Sequence, residues 1–72
     1  MKNDVIEVNP EKVSGMPVFA GTRVPIKNLF DYLEGGETLE DFLEGFPPVT
    51  REQAVSVLEM AEKSLIKEVG VN

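Results

Sequence analysis

Neither cysteine nor histidine occurs in this chain, and the two absences remove most metal and catalytic chemistry. Without thiols there are no disulfides and no thiolate ligands, and the redox compartment stays open. Zinc is held almost always by Cys or His, so no zinc site is expected. General acid–base work relies most often on His, and nucleophilic work on Ser, Cys, Thr or Lys beside a base. What remains is carboxylates, hydroxyls, Lys27 and Tyr32. Glu40 with Glu44, and Glu37 with Asp41, do fall at helical spacing. Such pairs on a polar helix face are ordinarily solvated. Gly15, Gly21, Gly35 and Gly36 lie in separate turns and form no phosphate-binding fingerprint. An enzyme is not expected, and no cofactor or metal is called for.

Positive charge is also scarce. Seven basic residues face 13 acidic ones, a formal net charge of −6, and no Lys or Arg occurs between Lys27 and Arg51. That balance opposes non-specific nucleic-acid binding, which rests on neutralising phosphates. It suits a partner with a basic surface. No stretch approaches the roughly 20 apolar residues of a membrane span. Met1 to Val5 lacks the apolar run of a signal peptide. The expected location is the cytoplasm, with no membrane association.

The 72 residues read as a single domain with no internal repeat or linker. A domain of this size buries only about 60% of its unfolded surface. With disulfides and zinc excluded, a partner chain or a second copy is the expected source of added stability.

Met16 to Ile26 organises the chain. Pro17 and Pro25 each fix φ and push the preceding residue toward extended geometry. Gly21 accepts the positive φ of a turn between them. The stretch is either a structural joint or a device presenting Thr22 and Arg23.

Before it, Val5 to Val8 reads as a strand ended by Asn9-Pro10, and Met16 to Phe19 as a second. The two are expected to pair as an antiparallel hairpin. After it, the period becomes helical. Ile26, Leu29, Phe30 and Leu33 follow i, i+3, i+4, i+7, with Pro25 at the first helical position and Gly35-Gly36 as the stop. Thr38 caps a second helix bearing Leu39, Phe42, Leu43 and Phe46, which Pro47-Pro48 ends. Thr50 and Gln53 make a capping box for the third. Its stripe is Ala54, Val57, Leu58, Ala61, Leu65 and Glu68, with Val55, Ile66 and Val69 off it and Gly70 as the stop. About 20 residues make that helix roughly 30 Å long, and its part from Lys63 to Val69 has little of its own chain to pack on. The fold class is mainly α. A short N-terminal β-hairpin (residues 1–24) precedes a three-helix bundle (residues 25–70) compatible with a helix-turn-helix.

Two kinds of partner surface follow. For a protein partner, the residues are the acids Glu37, Glu40, Asp41 and Glu44 and the apolar Val55 and Ile66, which otherwise are a solvated face and ordinary packing. For operator DNA, the N-terminal residues of the third helix would read bases, with Arg51, Gln53 and Lys27 the candidates. Lys12, Arg23, Lys27 and Arg51 would form one basic patch if the fold brought them together.

Gly15-Met16-Pro17-Val18-Phe19-Ala20-Gly21-Thr22-Arg23-Val24-Pro25-Ile26 resembles the signature of domain-of-unknown-function family 433. Its following segments resemble Leu33-Glu34-Gly35-Gly36-Glu37-Thr38-Leu39-Glu40-Asp41-Phe42 and Phe46-Pro47-Pro48-Val49-Thr50-Arg51-Glu52-Gln53-Ala54. The likeness runs from about Ile6 to Glu62, and Phe19 is bulkier than the family's Ile or Val. It implies a homeodomain-like trihelical fold behind a small β element. It also implies an antitoxin of a type II toxin–antitoxin pair, similar to the VapB group, that binds and neutralises a PIN-like ribonuclease toxin. The alternative is a homodimeric helix-turn-helix DNA-binding regulator. Arg23 is then either bonded to backbone carbonyls of the joint or directed at the nuclease's metal-binding carboxylates.

Overall fold

Ile6–Glu7 (β1) and Val18–Phe19 (β2) pair antiparallel, Ile6 opposite Phe19 and Glu7 opposite Val18. In this computed structural model the described residues are 5–68. Val69 and Gly70, expected at the end of the third helix, lie outside them. Both strands are shorter than the sequence pattern suggests, for local reasons. The Asn9 side chain accepts from Glu11 N at 2.9 Å and its carbonyl from Lys12 N at 2.8 Å, turning the chain away after Val8. On the other strand Pro17 has no N–H to donate to a ladder.

The hairpin is closed by a one-turn 3₁₀ segment, Val13–Gly15, whose residues all have positive φ (48°, 55° and 81°). For Gly15 this is easy; for the β-branched Val13 it is a strained conformation.

Three helices follow: α1 (Ile26–Glu34), α2 (Leu39–Gly45) and α3 (Arg51–Glu68). Pro25 is not the first helical residue but the cap before it, with extended φ −64° and ψ 139°. It is held there by a bridge to Val18, while Ile26 N donates to the Pro17 carbonyl at 3.0 Å. The hairpin thus sets where α1 begins. Gly36 (φ 90°) ends α1, with Gly36 N on Leu33 O at 3.1 Å and Glu37 N on Tyr32 O at 2.9 Å. This pair of bonds is the Schellman stop. Thr38 and Asp41 form a complete capping box at the start of α2, each bond 3.1 Å. Thr50 and Gln53 repeat it at α3.

Phe19, Leu29, Phe42, Val49, Ala54 and Val57 are buried together, so hairpin and helices share one core. Phe42 is its centre. It lies 5.9 Å from the Phe19 ring, 5.6 Å from Tyr32 and 4.9 Å from Phe46 between centroids. Such tilted and edge-on contacts stabilise beyond area burial alone. The bulk of Phe19 is accommodated, since it is fully buried against Phe42. Gly45 makes room for Tyr32, because a Cβ there would sit 3.1 Å from the phenolic oxygen.

α3 contributes to this core only along its first turns. Ala54 and Val57 are buried and Leu58 and Met60 pack beside them, whereas every residue from Glu62 to Glu68 is exposed. Leu65 continues the stripe but is 65% exposed, as expected of the part from Lys63 onward. The periodicity continues, but the body it would pack on has ended.

Candidate interaction site

The joint is built from backbone bonds. Phe19 N donates to Val24 O and Thr22 N to Phe19 O, both at 3.0 Å. The Thr22 hydroxyl donates to Phe19 O at 2.7 Å and accepts from Val24 N at 3.0 Å. Thr22 is only 8% exposed, so it is part of the joint and is not displayed. From the strand side, Ala20 N donates to Val5 O at 2.7 Å and Gly21 N to Glu7 Oε1 at 3.1 Å. From α3, the Gln53 amide donates to Ala20 O at 3.1 Å.

Glu7 thus holds two things. The same oxygen that accepts from Gly21 N also takes the Lys12 ammonium at 3.2 Å. The Gly21 hydrogen bond first, and Lys12 second, hold the Glu7 carboxyl below its ordinary range. Glu7 and Thr22 carry structure that sequence reading did not assign. Nothing local to β1 announced that Gly21, 14 residues on, would be the donor to Glu7.

Arg23 differs from the sequence expectation. It is exposed, and among the described residues no hydrogen bond or ion pair involves it. The carbonyl bonds expected of it are made by Thr22 and Gln53.

The anticipated basic patch does not assemble. Lys12 pairs with Glu7, Lys27 with Asp31 at 2.9 Å, and Arg51 with Glu40. Asp31 raises the Lys27 pKa, and the Arg51 hydrogen bond is the main cause lowering that of Glu40. Arg51 and Glu40, candidates for opposite kinds of partner, are brought together across α2 and α3. Gln53 is also engaged at both ends of its amide, with Oε1 accepting from Thr50 N at 3.1 Å.

On the acidic side, Glu37, Glu40, Asp41 and Glu44 are all exposed. Asp41 is occupied in its cap, where the Thr38 backbone N–H lowers its pKa most. Glu37 and Glu44 make none of the ion pairs found among the described residues. Val55 is half-buried and Ile66 is 47% exposed, so the two do not form one continuous apolar surface with equal access. Leu65 and Ile66 together form the exposed apolar end of α3. No helix among the described residues is long and apolar enough to cross a membrane.

The architecture is that of a small hairpin-plus-trihelical domain whose polar groups are largely satisfied within the chain. A family model described as a protein of unknown function (DUF433) matches residues 6–61, and the chain belongs to that family. Its fold is similar to the crystal structure of a DUF433 member protein from Anabaena variabilis ATCC 29413, with a TM-score of 0.73 at 22% identity. That match covers 90% of this chain and 64% of the other, so this chain spans less than two thirds of its relative. The likeness is one of fold. No curated protein matches the sequence.

Proposed function

We propose that this protein is the antitoxin of a type II toxin–antitoxin pair and acts by binding a PIN-like ribonuclease. The observation that carries the reading is the far end of α3. A helix of 18 residues extends beyond its core and leaves Leu65 and Ile66 65% and 47% exposed. Two large apolar side chains on one helix end are suited to a groove in another protein. The net charge of −6 and the exposed Glu37 and Glu44 favour a basic partner surface and fast, selective encounter. Covering the nuclease, or holding it away from RNA, needs only binding and no chemistry from this chain.

The DNA-regulator reading draws less support. Lys27 and Arg51 are paired with acids, and Gln53 is occupied in a cap. Co-expression separates the two. Rescue of growth from a PIN-like ribonuclease encoded beside this protein, with a co-purifying complex, is the expected result. Equal toxicity with and without this protein, and no complex, would overturn the proposal.

A further inference from the structure

Four large apolar side chains stand exposed among the described residues: Val8, Met16, Leu65 and Ile66. They fall into two patches of opposite shape. Val8 and Met16 border an apolar groove of about 460 Å³ between the hairpin and α1, walled further by Ile26 and Phe30. Lys27 lies at its rim, held by Asp31. Asp31 and Glu34 follow Lys27 at helical spacing, so this side of the groove carries two acids to one base. Leu65 and Ile66 form the other patch, a convex helix end. Lys63, Ile66 and Lys67 share one face of it at i, i+3 and i+4, with Glu62 one turn before Ile66. The ion pairs found among the described residues use none of Glu62, Lys63 and Lys67.

Groove and helix end complement each other better than either complements itself. Two grooves face to face would enclose empty space, and two paired helix ends would leave both grooves open to water. A helix end laid in the groove sets Leu65 and Ile66 against apolar walls. It also brings Lys63 and Lys67 toward the acids of α1, which favours this pairing over others. Neither Leu65 nor Ile66 lines the groove of its own chain. We propose that a second copy of this chain fills the groove, each protomer inserting its Leu65–Ile66 end between the hairpin and α1 of the other. Exchange in both directions closes the pair about a twofold axis and covers both patches, whereas one-way docking would run on into an open chain. A net charge of −6 on each chain opposes the approach, so the pair is weak and its attraction is apolar. The same end of α3 carries the antitoxin reading. On that reading a nuclease docks by displacing the second copy, but the contact between copies does not depend on it.

Sedimentation of the full chain over a concentration series tests the pair, with no nuclease present. The mass is expected to double as concentration rises. Ile66→Glu and Met16→Glu each put a carboxylate into the apolar contact and should raise the dissociation constant roughly tenfold or more. In dilute solution their thermal midpoints should match the wild type, because both positions are exposed. Val8→Glu, at a position 64% exposed, repeats the groove test should Met16→Glu lower its midpoint. Mixing the variants is the sharpest measurement. Ile66→Glu retains an intact groove and Met16→Glu an intact helix end, so the mixture should associate more tightly than either alone. A wild-type chain that stays monomeric at millimolar concentration would overturn the pair. So would groove variants that associate as tightly as wild type, which would place the contact on α3 alone. Mass growing past the dimer would overturn the closed exchange. All three outcomes leave the antitoxin reading standing, since growth rescue tests that reading separately.

Discussion

The side-chain amide of Gln53 donates to the carbonyl of Ala20 at 3.1 Å, joining residues 33 positions apart. The same side chain accepts from Thr50 N at 3.1 Å and so caps α3. One glutamine therefore starts the last helix and fastens it to the apex of the joint. The cap is local, whereas the fastening is long-range, and the two are separable by mutation.

Gln53→Ala is expected to remove both and to cost about 1–2 kcal/mol, from a lost cap bond and an unmet carbonyl. Gln53→Glu keeps the acceptor for Thr50 N and loses the donor to Ala20 O. It should fall between wild type and alanine in urea denaturation. Wild-type stability in Gln53→Glu would show that the long-range bond contributes nothing.

Thr22→Val keeps the shape at a site 8% exposed and removes the hydroxyl. Val24 N then loses its acceptor, while Phe19 O retains the Thr22 N–H. The expected loss is about 1–3 kcal/mol, the cost of an unpaired buried donor. Thr22→Ser preserves both bonds and should be milder. The comparison is read from denaturant midpoints.

Much of this framework was legible in the residues. The helix stops and caps were readable because Gly35-Gly36, Thr38, Thr50 and Gln53 act within a few residues of their own positions. The pairing of β1 with β2 was readable from β-branched runs flanked by turn residues. What was not readable depends on tertiary placement. Arg23 and Thr22 are neighbours with opposite fates, and only the fold decides which one turns inward. Arg51 and Glu40 were unrelated in sequence until α2 and α3 met.

Acid should weaken the fold through three carboxylates. Glu7, Glu40 and Asp41 all have pKa values lowered from their ordinary 4.5, 4.5 and 3.8. A lowered folded-state pKa gives stability that is fully present above the unfolded value and is lost as pH falls through the folded one. Thermal midpoints should hold from pH 7 to about 5 and fall below that. Glu7→Gln should lower the midpoint at pH 7 and narrow the gap from wild type at pH 3. A parallel offset at both pH values would exclude Glu7 from the acid response. Lys27, raised by Asp31, behaves oppositely and loses its contribution only in strong alkali.

Val13 has a φ of 48°, which a β-branched side chain adopts with strain. Val13→Asn should relieve it, since asparagine tolerates this region, and stabilise by about 1 kcal/mol. A lower midpoint in Val13→Asn would show that the half-buried valine packs for more than its backbone costs.

Leu65→Ala with Ile66→Ala should leave the isolated chain within about 0.5 kcal/mol of wild type, as exposed substitutions do. Binding to the nuclease should weaken together with growth rescue. Unchanged binding would place the docking surface elsewhere.

The partition of α3 also has a kinetic meaning. Backbone amides near Ala54 and Val57 are protected by the core, and exchange there requires opening of the whole domain. Amides from Glu62 to Glu68 have only the helix's own bonds to shield them from solvent, so they open by fraying. A single continuous helix should therefore show a steep gradient of deuterium uptake along its length. A bound partner would flatten that gradient from the exposed end, making the helix its own reporter of occupancy.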